Sequence, residues 1–207
     1  MKNLQYTLTG SLPLKGLFFI LLLCCSGLPC LAQDFNITVS KATGDLNKDG
    51  IEDMVSVRQD SVHDKGPYRI QVLFGLEGGG YKPIVSSDQL IEPQYPDGRD
   101  GYRTGNGFDG VEIKKGILIV SNFLLRGHYE YKFRYQNGNF ELIGYTYASS
   151  DGIGKIYSED FNLSTGERFY KEELYETGEI SRNENTKDLI RPLPKLQDII
   201  PFENGWQ

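Results

Sequence analysis

From residue 33 onward, apolar and polar side chains alternate in short runs, and the runs are separated by glycine, proline, asparagine and aspartate. Alternation with a period of two is the signature of a strand with one face buried and one face wet. Phe35-Asn36-Ile37-Thr38-Val39 is the first such run. Others cover 53–59 and 68–75, with 80–86 as a hairpin partner across Gly78-Gly79-Gly80. Residues 87–110 break the rhythm with two prolines and many glycines, and a loop of that length is functional or loosely ordered. Strands resume at 111–114 and 117–120. Two more, at 128–135 and 139–145, flank Gln136-Asn137-Gly138, where Asn-Gly favours the mirror-image turn that suits strand twist. Tyr129, Tyr131, Phe133 and Tyr135 share one face of that hairpin, with Glu130, Lys132 and Arg134 on the other.

The same form recurs at 155–163 and 168–175, and a weaker hairpin turns at Glu176-Thr177-Gly178-Glu179. Residues 183–188 are polar throughout and read as a loop. The tail, with Pro192, Pro194 and Pro201, reads as an extended edge segment. The pattern predicts an all-β protein of antiparallel hairpins in a meander over 33–207, with further hairpins over 111–180. Successive hairpins could close as a small propeller or stack as an open sandwich.

Residues 1–32 have a different character. Lys2 and Lys15 precede an apolar run from Gly16 to Cys25, and Cys30-Leu31-Ala32 ends in small residues before Gln33. The run is shorter than the roughly 20 residues a membrane span needs and fits a secretory signal peptide cleaved after Ala32. A lipid anchor is the alternative, but Leu23 before Cys24 and Pro29 before Cys30 suit it poorly. All three cysteines lie in this segment, so the exported chain would hold no disulfide and no thiolate ligand. Residues 1–32 carry two lysines and no acid, so the formal charge of −6 becomes −8 without them. That charge disfavours nucleic acid and anionic lipid as partners and suits cations. No second apolar run is long enough to span a membrane.

The sharpest chemistry lies in Asp45-Leu46-Asn47-Lys48-Asp49-Gly50-Ile51-Glu52-Asp53. Side-chain oxygens fall at loop positions one, three, five and nine, with glycine at six. Calcium takes six to eight oxygens at roughly 2.3–2.6 Å, and a short loop encloses it when alternate side chains turn inward. Asp45, Asn47, Asp49 and Asp53 would coordinate through side chains and Ile51 through its carbonyl. The helical EF-hand is a poor match. Its bidentate Glu belongs at position twelve, which is Ser56 here, and Met54-Val55-Ser56-Val57 alternates as a strand.

The loop resembles that of the FG-GAP and VCBS repeats of integrin-like β-propellers, in which an Asp-x-Asn-x-Asp-Gly-x-x-Asp pattern leads into a strand. Tyr68 to Gly75, then Gly78-Gly79-Gly80-Tyr81, match the second strand and turn of such a repeat, so the likeness covers 43–84. It implies bound Ca²⁺ and a blade-like hairpin. The expected role is that of an exported binding or structural protein, secreted or periplasmic, with a surface glycan or a protein as partner. A separate, third reading is an inhibitor or immunity-type partner protein, which an affinity pull-down would reveal.

Other chemistry is thin. No Gly-x-Ser-x-Gly elbow and no phosphate-cradling loop occurs, and His63 and His128 stand apart from any ligand spacing. The alternative function is a carbohydrate-active or other hydrolase with Asp97, Asp100 and Asp109 around the 95–110 loop. There Tyr102 and Phe108 would offer a surface for sugar stacking.

Overall fold

The computed structural model describes residues 33–101 and 107–207, and residues 33–207 form one compact unit. The expected signal segment, 1–32, and Tyr102 lie outside the described residues. Alternation gives most of the hairpins one apolar face, and these faces are buried by stacking two sheets. The first sheet is β1 (Ile37–Gly44), β2 (Asp53–Gln59), β3 (Tyr68–Gly75) and β4 (Tyr81–Ser87) in sequence order. The second is β5 (Phe108–Lys114), β6 (Ile117–Leu124), β7 (Gly127–Gln136), β8 (Asn139–Ser150), β9 (Lys155–Asn162), β10 (Glu167–Leu174) and β11 (Ile180–Lys187), again in order. Every neighbouring pair is antiparallel. The protein is therefore all-β, and it is an open two-sheet meander. The propeller reading falls because β5 to β11 share one continuous ladder, whereas radial blades would be separate short sheets.

Val55 and Val57 of β2 with Ile70 and Val72 of β3 enter the same core as Leu118, Val120, Tyr129, Tyr131, Phe133, Phe140 and Leu142. Aromatic contacts cross between the sheets: Phe74 meets Tyr135 edge-on at 4.9 Å, and Tyr68 meets Phe108 at 5.6 Å. At one side β1 lies beside β5, where the Val111 N–H donates to Ser40 Oγ at 3.4 Å.

Three expectations need correction. The first strand runs over Ile37–Gly44, later than the 35–39 run, because its register follows pairing with β2 up to Gly44↔Asp53. The polar loop expected at 183–188 is most of β11. Backbone pairing with β10 forms it without apolar side chains, and all its residues are exposed. The tail is no edge strand. Leu193, Leu196, Ile199 and Trp206 are buried, Pro194 O accepts from Leu142 N at 2.8 Å, and a 3-10 turn at Leu196–Asp198 packs on β4 and β8. Its prolines bar a continuous ladder, so the apolar positions, three apart, turn inward instead. Among the described residues no helix is long and apolar enough to cross a membrane.

Candidate metal centre

The acidic loop connects β1 to β2 and curls on its own side chains. Asp45 Oδ1 accepts from Lys48 N at 2.7 Å, and its Oδ2 accepts from Gly50 N at 3.0 Å. Asn47 Oδ1 accepts from Asp49 N at 3.0 Å, and Asp49 Oδ1 from Ile51 N at 2.8 Å. Asn47 Nδ2 donates to Asp49 Oδ2 at 2.7 Å. These are the local turns that Asp and Asn make with backbone two or more residues ahead. The chain reverses through Lys48 at φ +66° and Gly50 at φ +84°. A residue with Cβ is disfavoured at Gly50's conformation, so position six is glycine for the reason the spacing predicted.

Asp53 is different. It is fully buried, and its two oxygens accept three backbone N–H groups: Leu46 at 2.8 Å and Asn47 at 3.3 Å on Oδ2, Gly75 at 3.0 Å on Oδ1. One carboxylate thus ties the start of the loop, the start of β2 and the end of β3. Leu46 between them is itself buried in the core.

Asp45, Asn47 and Asp49 are therefore gathered in one turn, with Asp53 beneath it. The donor set has hard-cation chemistry: three carboxylates, one amide oxygen and the Ile51 carbonyl. Carboxylate oxygens that already accept one hydrogen bond keep a further lone pair. Against it, Asn47 Nδ2 occupies Asp49 Oδ2, and Asp53 is committed to the backbone on both oxygens. Among the described residues no group of three or more His, Cys, Asp or Glu side chains stands in position to hold a metal. The residues fit in type and curl, and the loop would have to draw Asp53 and Asp49 toward an ion.

The acids of the long loop do not come together in this way. Asp97 and Asp100 are exposed in successive tight turns, and Asp109 is exposed on β5. Phe108 is spent on Tyr68 and is no free platform. The segment before residue 101 is pinned to the β2–β3 connection. Tyr95 N donates to Lys65 O at 2.9 Å, and Gln59 Nε2 to Gln94 Oε1 at 2.7 Å. Leu90 and Ile91 anchor it in the core.

His63 Nδ1 accepts from Lys65 N at 3.1 Å, a turn role, and His128 is exposed on β7. The sequence reading passed over Asp60. Nearly buried, it accepts from Val62 N, His63 N and Asp34 N at 2.9–3.0 Å. The His63 N–H bond, more than any other, holds its carboxyl below the usual range. Only the Asp-Ser turn chemistry hinted at it. With the geometry in place, comparison with protein-family models, curated proteins and solved structures finds no match to this chain.

Proposed function

We propose that the Asp45–Asp53 loop is a calcium site, and that the protein is an exported, calcium-stabilised all-β module with a binding or structural role at the cell surface or in the periplasm. The reading is carried by the curl of alternate oxygen-bearing side chains around a glycine-permitted reversal that leads straight into a strand. The likeness to FG-GAP loops supports it, and the leader-like composition of residues 1–32 supports export. Asp45, Asn47 and Asp49 would hold the ion with the Ile51 carbonyl, and Asp53 would close the base. Calcium supplies charge neutralisation and a rigid crosslink there. In a chain without disulfides after export, an ion that binds only the folded state takes up part of their work.

Calorimetric titration of the chelator-treated protein with CaCl₂ should give one equivalent of Ca²⁺. Saturation at one hundred times the dissociation constant contributes about 2.7 kcal/mol, and for a chain of this size that raises the melting temperature by roughly 5–10 °C. No stoichiometric uptake, or a melting curve indifferent to EDTA, overturns the proposal.

A further inference from the structure

The inner face of the seven-stranded sheet runs on past its cover. On β9 it reaches Phe161, which is buried, but the next inward-facing residues, Glu159, Tyr157 and Lys155, are only half-buried, and on β11 the face is exposed. The ladder register fixes what that uncovered face presents. Tyr147, Glu159, Tyr170 and Glu184 form one row across β8 to β11, and Ser149, Tyr157, Glu172 and Arg182 form the next. Three tyrosines from three adjacent strands thus stand among charged side chains. Tyr147 and Tyr170 are two strands apart, about 9.5 Å at the usual strand spacing.

The charged groups on this face are held by one another. Lys155 Nζ lies 2.5 Å from Glu172 Oε1, which also accepts from Ser181 Oγ at 2.7 Å. Arg182 clasps Glu184 with two bonds of 2.7 and 2.8 Å, and its guanidinium sits over the Tyr170 ring at 5.0 Å. Arg168 stacks on Phe161 at 4.1 Å and donates to Trp206 O at 2.5 Å. Its Nη1 lies 3.1 Å from Glu159 Oε1 without the alignment of a hydrogen bond, and its Nε is buried with no acceptor. Burial pushes the Glu159 carboxyl up. Glu159, Arg168, Tyr170, Arg182, Glu184 and Thr186 line an open cavity of about 280 Å³.

Three cations, Lys155, Arg168 and Arg182, meet Glu159, Glu172 and Glu184, with Asp188 a further 3.8 Å from Arg168 and Asp151 accepting from the Tyr157 hydroxyl at 3.4 Å. The face thus has no excess of positive charge, and each of its cations already lies against a carboxylate. A polyanion would meet these carboxylates and no excess of positive charge. An apolar peptide would find no continuous apolar surface. A neutral sugar chain has what the face asks for: C–H faces that lie on aromatic rings, and hydroxyls that pair with planar carboxylate and guanidinium groups with hydrogen-bonding capacity to spare.

We propose that the β8–β11 face is a binding site for a neutral glycan chain, with Tyr147, Tyr157 and Tyr170 as the stacking surface and Glu159, Arg168, Arg182 and Glu184 as hydroxyl partners. The site is remote in sequence from the calcium loop and its test is separate. The purified protein is titrated calorimetrically with cellohexaose, maltohexaose, mannohexaose and xylohexaose, in calcium and in EDTA. At least one should bind in the micromolar to millimolar range. Tyr170→Ala and Tyr157→Ala should each weaken it by about tenfold or more, with circular dichroism unchanged. Phe169→Ala, on the opposite face of β10, should leave binding intact. Failure of all four sugars to bind, equal loss in Phe169→Ala, or tighter binding of an acidic polymer such as alginate each overturns the proposal.

Discussion

Asp49 and Asp53 belong to one loop and one spacing rule, yet their surroundings separate them. Asp49 is exposed and bonds only within its turn, whereas Asp53 is buried under three backbone donors. Replacing Asp53 by Ala strands Leu46 N and Gly75 N in a dry place and removes the acceptor of the half-buried Asn47 N, and should cost about 3 kcal/mol or more. That loss should appear in urea denaturation both in calcium and in EDTA. Asp49→Ala should cost less than about 1 kcal/mol in EDTA and should abolish the calcium-dependent gain. An Asp53 variant that loses only the calcium-dependent part would make that residue a ligand and nothing more. The position of the turn, its glycine and the strand that follows were legible in the sequence because each depends on neighbours a few residues away. The Asp53 bond to Gly75 was not, since it spans 22 residues and exists only once β2 and β3 pair. Asp60, bonded back to Asp34 across 26 residues, was hidden for the same reason.

At the level of elements, alternation reveals a strand only when one of its faces is buried. β7 shows the rule at its clearest: Tyr129, Tyr131 and Phe133 are fully buried between half-exposed charges. β11 is wet on both faces, so its residues carry no period. Its cross-strand pairs, Glu172↔Arg182 and Tyr170↔Glu184 among them, become visible only through the ladder with β10. The tail was hidden differently, since its apolar residues recur every third position among prolines. Trp206 shows what that segment contributes. Its ring meets Tyr145 at 5.4 Å and Tyr131 at 6.3 Å, both edge-on, and Gln207 next to it donates to the Tyr131 hydroxyl at 2.9 Å. Trp206→Ala should destabilise the protein by about 3–5 kcal/mol in urea denaturation. A loss below about 1 kcal/mol would mean the tail is draped on the sheet and not part of its core.

Across the whole molecule, neither sheet can keep its inner face dry alone. Val55, Val57, Ile70 and Val72 share one core with residues of β6, β7 and β8, with Leu90 and Ile91, and with the tail, and Phe74 reaches between Tyr135 and Phe140. The acidic loop sits at this junction. Leu46 is in the shared core, and the β5–β6 turn at Gly116 lies against the Asp45 carbonyl. An ion bound in the first sheet should therefore stabilise the second by the same amount, since two sheets with one core unfold as one unit. Trp206 tests this, because it is the chain's sole tryptophan and docks on the seven-stranded sheet. Thermal unfolding followed by its fluorescence and by far-UV circular dichroism should give coincident curves, and calcium should move both by the same number of degrees. Two separated transitions, with the tryptophan signal indifferent to calcium, would show that the sheets fold independently and that the ion secures only the hairpins next to it.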